Sequence, residues 1–400
     1  MTVAAAGRLD SLLAERTEAN RAFFEARSED VARCCHRMAE RFARGGRLVA
    51  LGSSPAARSD VRHVAVEFVH PVIVGKRALP AIGLSREGGR LTTQADLIAE
   101  PDDIAIAFGT DEPDGAETLE ALVLARERGC QTISFSPSGA EWEFEPPSAD
   151  PFIRQELAET LYHVLWELVH VFFEHRGLLE GREAGPVHVT GASSFLYPFL
   201  SEGETGLEEV IEDVRTNVVM KAEEVGELRE RTIAGSRDVI VRAAEELRST
   251  FDRGGKALIF GNGGSATDSM DLVADLRGAP QGWPARPAID LTEDPSILTA
   301  IANDIGVEAI FLRQVIAYGR EGDVAITLST SGNSLNLIEA LGEARKRKLV
   351  TIAFVGYDGG RVADEGLADH VVVTPSQHIP RIQEAQASAY HALRELIELG

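Results

Sequence analysis

The sequence predicts an α/β protein built from two doubly wound parallel sheets in tandem, each preceded by a helical hairpin. Its 400 residues exceed what one typical hydrophobic core accommodates. The order of apolar runs and helical stretches in the first half recurs in the second half. Strands that alternate with helices are typical of βαβ units with right-handed crossovers. We therefore expect a first domain over residues 1–178, a linker over 179–204 and a second domain over 205–400.

Each half opens with helical sequence, which ends in a basic, glycine-rich turn before the first buried strand. In the first half we expect helical structure over 9–44, strands at 48–52, 80–84, 103–108 and 132–135, and helices at 118–128 and 151–174. In the second half we expect helical structure over 206–253, strands at 257–261, 287–291, 323–328 and 351–354, and helices at 335–347 and 380–399.

The charge and cysteine content exclude several classes of function. A net charge of -23 would repel nucleic acid and anionic membrane surfaces. The N-terminal residues do not resemble a secretion signal, and no apolar run approaches the ~20 residues that span a bilayer. The three cysteines lack metal-ligand spacing, which favours reduced thiols and a cytoplasmic location.

Two polar loops in the second half indicate a phosphate site. The run 261–265, Gly-Asn-Gly-Gly-Ser, lies between a predicted strand and a helix, and the run 329–334, Ser-Thr-Ser-Gly-Asn-Ser, follows another strand and opens another helix. Glycines allow backbone N–H groups to approach a ligand, and a helix N-terminus attracts anions. Hydroxyl donors suit an acidic protein that does not use Lys or Arg for this purpose. The alternative is that the hydroxyls only cap the helix.

Four runs of the second half resemble the phosphoheptose isomerases in order and approximate spacing: GNGGSATDSMDLVADL, AIANDIGVEAIFLRQV, GREGDVAITLSTSGNS and RIQEAQASAYHAL. The resemblance covers about 206–399. It implies a SIS (sugar isomerase) fold, a tetramer with sites at subunit interfaces, a zinc ion, and conversion of sedoheptulose 7-phosphate to an aldose heptose 7-phosphate. The related DnaA-binding initiator proteins share the fold without the isomerase role.

The resemblance also assigns roles in the second half. It implies phosphate binding by Asn262, Gly263, Ser265, Ser329, Thr330, Ser331 and Ser334, and substrate binding by Asp304 and Gln383. The family's metal set, a His and a Glu four apart and then a Gln and a His eight apart, corresponds here to Asp271, Asp275, Gln383 and His391. Asp275 and His391 are the implied catalytic pair. Two aspartates thus replace the family's His and Glu, which alters the site although Asp can still bind zinc.

The first half shows the opposite pattern. His63 and Glu67 are four apart on a predicted helix and project from one face, and Gln155 and His163 are eight apart on its last helix. These four match the family's metal set, and the resemblance implies catalytic roles for Glu67 and His163. The alternative is that these histidines are structural. The hydroxyl loop is replaced by 110–115, Thr-Asp-Glu-Pro-Asp-Gly, whose carboxylates would repel a phosphate, and the stretch equivalent to 296–318 is missing.

These patterns predict a phosphosugar aldose–ketose isomerase that acts through an enediol, with a base near carbon and an acid near oxygen. We expect a zinc ion at each competent site, polarising the reacting oxygens. Either the second half works alone beside a degenerate first half, or the halves share a composite site. The competing function is a regulatory or scaffold protein that binds a sugar phosphate without chemistry. Two chains are expected to form a homodimer, which would be a pseudo-tetramer of the predicted domains.

Overall fold

The computed structural model describes residues 3–72, 76–174, 206–278 and 282–399. Within them the chain forms two compact units, each with one five-stranded parallel sheet. We call Ala19–Ala149 together with Leu157–Glu224 the first-sheet unit. Met1–Glu18, Asp150–Glu156 and Val225–Gly400 make up the second-sheet unit. The linker predicted over 179–204 lies outside the described residues.

The helices that precede the two sheets differ. The expectation of a hairpin before the first sheet is wrong, because α1 (Val3–Ala43) is one continuous helix. No glycine or proline interrupts the sequence between Gly7 and Gly45, so nothing in it stops the helix. Before the second sheet there are two helices, α6 (Leu207–Gly235) and α7 (Arg237–Asp252), separated at Ser236.

The two sheets share one topology, which confirms the predicted fold class. The first is built from β1 (Leu48–Leu51), α2 (Pro55–Val69), β2 (Ala81–Leu84), α3 (Leu91–Ile98), β3 (Ile104–Ala107), α4 (Ala116–Glu127), β4 (Gln131–Ser134), β5 (Trp142–Glu143) and α5 (Pro151–Glu174). Its strand order is β2-β1-β3-β4-β5, and all pairs are parallel.

The second sheet repeats this order as β7-β6-β8-β9-β10, again with parallel pairs. It is built from β6 (Ala257–Gly261), α8 (Gly264–Gly278), β7 (Ala288–Asp290), α9 (Pro295–Asp304), α10 (Ile310–Tyr318), β8 (Val324–Ser329), α11 (Leu335–Lys346), β9 (Val350–Gly356), α12 (Gly360–Asp364), β10 (His370–Thr374) and α13 (Ile379–Leu399). The edge strands β5 and β10 were not expected from the sequence. Where the second half has α9 and α10, the first has only α3 and a short 3-10 turn.

Both faces of the second sheet are covered by helices. Ala257 and Ile259 of β6 point into a core shared with α7, α8 and α13, whereas Leu258 and Phe260 point into a core shared with α10 and α11. This alternation follows from the two-residue period of a strand. A strand buried on both faces needs an uninterrupted apolar run, which is what β6 has.

The strand order places a topological switch point between the neighbours β6 and β8. From β6 the chain crosses to β7 on one side, and from β8 it crosses to β9 on the other. The loops that leave the carboxyl ends of β6 and β8 therefore diverge and open a crevice, where ligands bind in sheets of this kind. The two polar runs at 261–265 and 329–334 lie at these two ends.

One glycine in the second of these loops requires its lack of a side chain. Gly332 has φ +63°, and a methyl group on it would overlap the carbonyl oxygen of Gly359. We expect Gly332→Ala to lower the free energy of unfolding by about 1–3 kcal/mol in urea denaturation. Gly342 lies inside α11 with no atom near its missing side chain, so Gly342→Ala should instead stabilise by about 0.5–1 kcal/mol. Equal effects of the two substitutions would contradict this reading of the loop.

Candidate functional site

The two switch-point loops are fixed to each other by a pair of side-chain amides. Asn262 Nδ2 donates to Asn336 Oδ1 over 3.0 Å, and Asn336 Nδ2 donates to Asn262 Oδ1 over 2.8 Å. Gly263 adopts φ +59°, which only glycine does readily, and α8 begins directly after it. Ser265 is buried in the first turn of α8. The amide pair holds the N-termini of α8 and α11 close to one crevice.

The hydroxyl loop is organised by its own backbone. Gly332 N–H donates to Ser329 Oγ over 3.0 Å, and Asn333 N–H donates to Ser331 Oγ over 3.3 Å. Thr330 is half-buried between them. The loop therefore has a defined shape before any ligand binds.

Ser334 occupies the N-cap position of α11, but its side chain makes no capping hydrogen bond. The simple explanation that this serine serves only as a helix cap therefore does not describe the structure. A serine that does cap its helix is found in the first-sheet unit, in the loop after β1, where Ser54 Oγ accepts from Ala57 N–H over 3.0 Å at the start of α2. The Ser334 hydroxyl thus lies, without a capping bond, at the N-terminus of α11, where the helix dipole favours an anion.

Three predicted site residues meet in a buried cluster between α8 and α13. His391 Nε2 lies 3.1 Å from Asp271 Oδ2 and 3.3 Å from Asp275 Oδ2. On its other side His391 Nδ1 lies 2.9 Å from Glu156 Oε1, so the imidazole is enclosed by three carboxylates. Asp271 Oδ2 also accepts from the Tyr390 hydroxyl over 2.9 Å.

The environment shifts the pKa values in this cluster. Burial lowers the pKa of His391, but hydrogen bonds with Asp271, Asp275 and Glu156 outweigh it and raise that pKa well above its ordinary value. Burial and the charge of Asp271 raise the pKa of Asp275 to about 6. Burial favours the neutral form of Glu156, yet the charge of Arg16 and the bond from His391 lower its pKa to about 2.

The remaining predicted residues of the second half are spread more widely. Gln383 is buried on α13, on the same helix as His391. Asp304, the last residue of α9, is exposed and accepts a hydrogen bond from the side chain of the neighbouring Asn303. The described contacts do not bring Asp304 to the cluster. Gln386, which sequence reasoning missed, donates from α13 to the carbonyl of Ser329 over 3.1 Å and so ties this helix to the hydroxyl loop.

The first-sheet unit contains a second buried cluster. His63 Nε2 lies 3.3 Å from His163 Nε2 and 4.0 Å from Glu67 Oε1. All three side chains are buried. Burial and the neighbouring His163 lower the pKa of His63 well below its ordinary value. Gln155, the fourth predicted ligand, belongs to the second-sheet unit.

The switch point of the first sheet is occupied by its own side chains. Ser53 Oγ donates to the carbonyl of Asp114 over 2.7 Å and accepts from Thr118 Oγ1 over 2.9 Å. The Glu112 carboxylate lies against Gly109, the glycine that follows β3. Hydroxyls engaged within the loops and a carboxylate folded over the glycine leave this crevice unsuited to a phosphate.

Both clusters have donor atoms that fit a metal ion. Two ligands about 2.0–2.1 Å from a tetrahedral zinc lie roughly 3.3 Å apart. The distances from His391 Nε2 to Asp271 and Asp275, 3.1 and 3.3 Å, match this separation. So does the 3.3 Å between the two nitrogens of His63 and His163. Two imidazoles with one carboxylate form a nitrogen-rich set, whereas one imidazole with two carboxylates forms an oxygen-rich set.

Sequence reasoning also missed Arg16 and Glu156. Both are buried in the second-sheet unit although they come from the first half of the chain. A signal existed, since Glu156 follows Gln155 as Glu384 follows Gln383 in the repeat. That pattern marks a repeated position but does not show that Glu156 contacts His391.

Comparison with known proteins supports these assignments of fold and family. The SIS domain family matches residues 222–356. The phosphoheptose isomerase of Pelodictyon phaeoclathratiforme is 45% identical over 177 residues, which are 43% of this chain and 82% of that protein. The phosphoheptose isomerase of Geobacter sulfurreducens is 43% identical over 190 residues, which are 47% of this chain and 97% of that protein.

A solved structure shares the fold over most of the chain. It is the C-terminal domain of glucosamine-fructose-6-phosphate aminotransferase from Francisella tularensis, with a TM-score of 0.62 and 9% identity. The match covers 98% of this chain and 95% of that one. Among the helices that the structure describes, none is both long and apolar enough to cross a membrane.

The raised pKa of His391 predicts how stability depends on pH. A group whose pKa is higher in the folded state contributes fully below its unfolded value, about 6.5, and loses that contribution as pH rises through the folded pKa. Asp275 behaves likewise, but its contribution is already lost by about pH 6. We measure the free energy of unfolding in urea, with a chelator present, at pH 6.5 and at pH 9. This free energy should fall more between the two pH values in the unmodified protein than in His391→Asn. Parallel curves for the two proteins would contradict the prediction.

Proposed function

Because the chain belongs to the phosphoheptose isomerase family of SIS-domain proteins, we propose that its second-sheet unit interconverts a phosphorylated ketose and aldose. One observation carries the proposal: Asp275 and His391, an acid–base pair 3.3 Å apart, lie on α8 and α13. α8 begins in the first switch-point loop, and α13 is bonded to the second through Gln386. The chemistry would therefore take place beside a phosphate site.

We propose sedoheptulose 7-phosphate as the ketose and D-glycero-D-manno-heptose 7-phosphate as the aldose. The support is the similarity to proteins named phosphoheptose isomerase at 43–45% identity. The phosphate would be bound by Asn262, Gly263, Ser265, Ser329, Thr330, Ser331 and Ser334. These residues offer neutral donors and helix N-termini, which bind an anion without adding basic residues to an acidic protein.

The proton transfer is assigned to Asp275 and His391. A carboxylate with a pKa of about 6 is largely ionised at neutral pH, yet it is basic enough to accept a proton from the carbon next to a carbonyl. His391 can donate a proton from Nε2 to the substrate oxygen and recover it afterwards when that nitrogen is not bound to a metal ion. Both groups are shielded from bulk water, which strengthens their interaction with charge that develops on the enediol.

We propose zinc as the cofactor. Asp271, Asp275, Gln383 and His391 would hold it in the second-sheet unit, and His63, Glu67 and His163 would hold it in the first-sheet unit. The support is the donor-atom spacing within Asp271, Asp275 and His391 and within His63, Glu67 and His163, whereas Gln383 is included because it matches the family's metal set. When bound, such an ion polarises carbonyl and hydroxyl oxygens. Because the first sheet's crevice is occupied by its own side chains, we assign the ion there a structural role.

A second candidate function is binding of a sugar phosphate without chemistry. The observation that favours it is the closure of the cluster, because the His391 side chain is 1% exposed and is already paired with three carboxylates. A regulatory protein would keep the phosphate loop and need no accessible base. The Asp275 side chain, which is 12% exposed, is the member of the cluster that is open to a substrate.

Proton NMR in deuterium oxide separates the two functions. The zinc-loaded protein with sedoheptulose 7-phosphate should yield an aldose signal and incorporate deuterium at C2. His391→Ala should lower the rate at least about 100-fold by removing the acid, whereas His163→Ala should retain most of it. Loss in both variants would contradict the assignment to the second-sheet unit alone. Ligand binding with no exchange in the unmodified protein would establish the binding function instead.

The unused cap hydroxyl gives a second test. Ser334→Ala should change the free energy of unfolding by less than about 0.5 kcal/mol, since its side chain does not cap α11. It should raise KM for the phosphorylated ketose by about tenfold, because a hydrogen bond to a charged group is lost. Ser54→Ala, at the capped position in the first-sheet unit, should cost about 0.5–2 kcal/mol and leave KM unchanged. A large stability loss in Ser334→Ala without a change in KM would identify it as a structural residue.

A further inference from the structure

A carboxylate from the first half of the sequence lies against the proposed acid. Glu156 lies near the start of α5 and is buried in the second-sheet unit. His391 Nδ1 donates to its Oε1 over 2.9 Å, Arg16 Nε donates to the same oxygen over 2.9 Å, and Ser388 Oγ donates to Oε2 over 2.5 Å. Both carboxylate oxygens are therefore engaged, and the side chain has a fixed orientation.

Arg16 is fixed in turn. Its second terminal nitrogen donates to Glu395 Oε1 over 2.8 Å, and its first donates to the carbonyl of Leu12 over 3.2 Å. The side chains of Arg16, Glu156 and Glu395 are each 1% exposed. When every member of a buried polar network has its hydrogen-bond partners, the network fixes the side-chain orientations more strictly than apolar packing does.

This network determines which imidazole nitrogen faces the cluster. A carboxylate accepts only, so Nδ1 must carry a proton where it meets Glu156. Nε2 is then the atom that faces Asp271 and Asp275. Phe152 stacks on the imidazole with ring centroids 4.8 Å apart, which restricts rotation of the ring. The other ring orientation would remove the Nδ1–H donor from Glu156.

We propose that Glu156 is a positioning residue for His391: it holds the Nδ1–H, presents Nε2 to the metal ion and substrate, and is itself held by Arg16. The proposal rests on the proposed function of the Asp271–Asp275–His391 cluster. A carboxylate behind a ligating histidine fixes the tautomer and increases the basicity of the ligand. The first half of the sequence would thus contribute Arg16 from α1 and Glu156 from the start of α5 to the site of the second half.

Zinc affinity measures the proposed effect without relying on turnover. In a full-length His63→Ala/His163→Ala background, which leaves the cluster at His391 as the site under test, Zn2+ is titrated against a chromophoric chelator. Glu156→Leu should weaken Zn2+ binding about 10–100-fold. Asp323→Asn is the matched control: it removes a buried carboxylate that pairs with Lys256 at the amino end of β8, and it should leave the affinity unchanged.

A triple variant separates positioning from mere stability. Glu156→Leu alone leaves Arg16 without one of its partners, so the protein should lose stability. Arg16→Met combined with Glu156→Leu and Glu395→Leu replaces the whole buried Glu156–Arg16–Glu395 network by apolar groups and should recover the Tm. If Glu156 positions His391, zinc affinity and kcat stay low in the triple variant while KM changes little. Recovery of zinc affinity together with Tm would overturn the proposal, and so would absence of Zn2+ binding by the background protein.

A spectroscopic signature covers the case in which the background does not fold. In the otherwise unchanged chain loaded with Co2+, the Nδ1–H of a histidine bound through Nε2 gives a shifted, exchangeable proton line. The line assigned to His391, by its loss in His391→Asn, should be present in the unmodified protein and absent or rapidly exchanging in Glu156→Leu. Persistence of the line in Glu156→Leu would overturn the proposal. A further outcome is that the protein binds Zn2+ and Co2+ in a way that depends on Glu156 and yet shows no isomerase activity. That outcome would refute the proposed reaction while leaving the positioning role of Glu156 intact.

Discussion

The site of the second-sheet unit depends on one interaction, an imidazole shared by three buried carboxylates. A charged group is costly to bury unless it is paired, and here each carboxylate near His391 is matched by a donor. Glu156 has Arg16 and Ser388, Asp271 has Tyr390, and Asp275 has the imidazole itself. Removing the imidazole would leave Asp271 and Asp275 facing each other without the positive charge between them.

The phosphate site solves a different electrostatic problem. A chain with net charge -23 repels an anionic substrate at long range. At short range the backbone N–H groups and hydroxyls of the two switch-point loops supply attraction without added positive charge. The first sheet has the same topology and the same switch point, yet the Glu112 carboxylate lies against Gly109 there. The fold offers the same crevice twice, and the loop sequence decides which crevice can accept a phosphate.

The sequence predicted the fold well because the relevant signals are local. Apolar runs, glycines after strands and the repeat of both along the chain defined the two parallel sheets. The continuous helix α1 was missed because the hairpin was inferred from the second half, whereas the first lacks a residue that stops a helix before Gly45. The edge strand β5 has only two residues and gives no sequence signal, whereas β10 was missed although its β-branched run at 371–373 is typical of a strand, because the first half offered no matching run for comparison.

The site was only partly predictable for a physical reason. His391 and Asp275 match motif positions, and local spacing on α8 and α13 indicates which faces they share. The contacts of Glu156 and Arg16 with the cluster depend on packing within the second-sheet unit, and Glu156 and His391 are more than 200 positions apart in the sequence. Tertiary packing of this range leaves no trace in a single sequence.

The two aspartates of the cluster are not equivalent, although they replace two family ligands side by side. Asp271 Oδ2 accepts from both the Tyr390 hydroxyl and His391 Nε2, so that oxygen is fully engaged and the carboxylate is fixed. Asp275 interacts with His391 alone among these groups, is more exposed, and has a pKa raised to about 6 by burial and by the charge of Asp271. Burial makes Asp275 basic, and the fixed charge of Asp271 adds to the effect. Aspartate is one methylene shorter than glutamate and reaches less far toward a substrate. It can still serve as a base, because its raised pKa makes it a better proton acceptor.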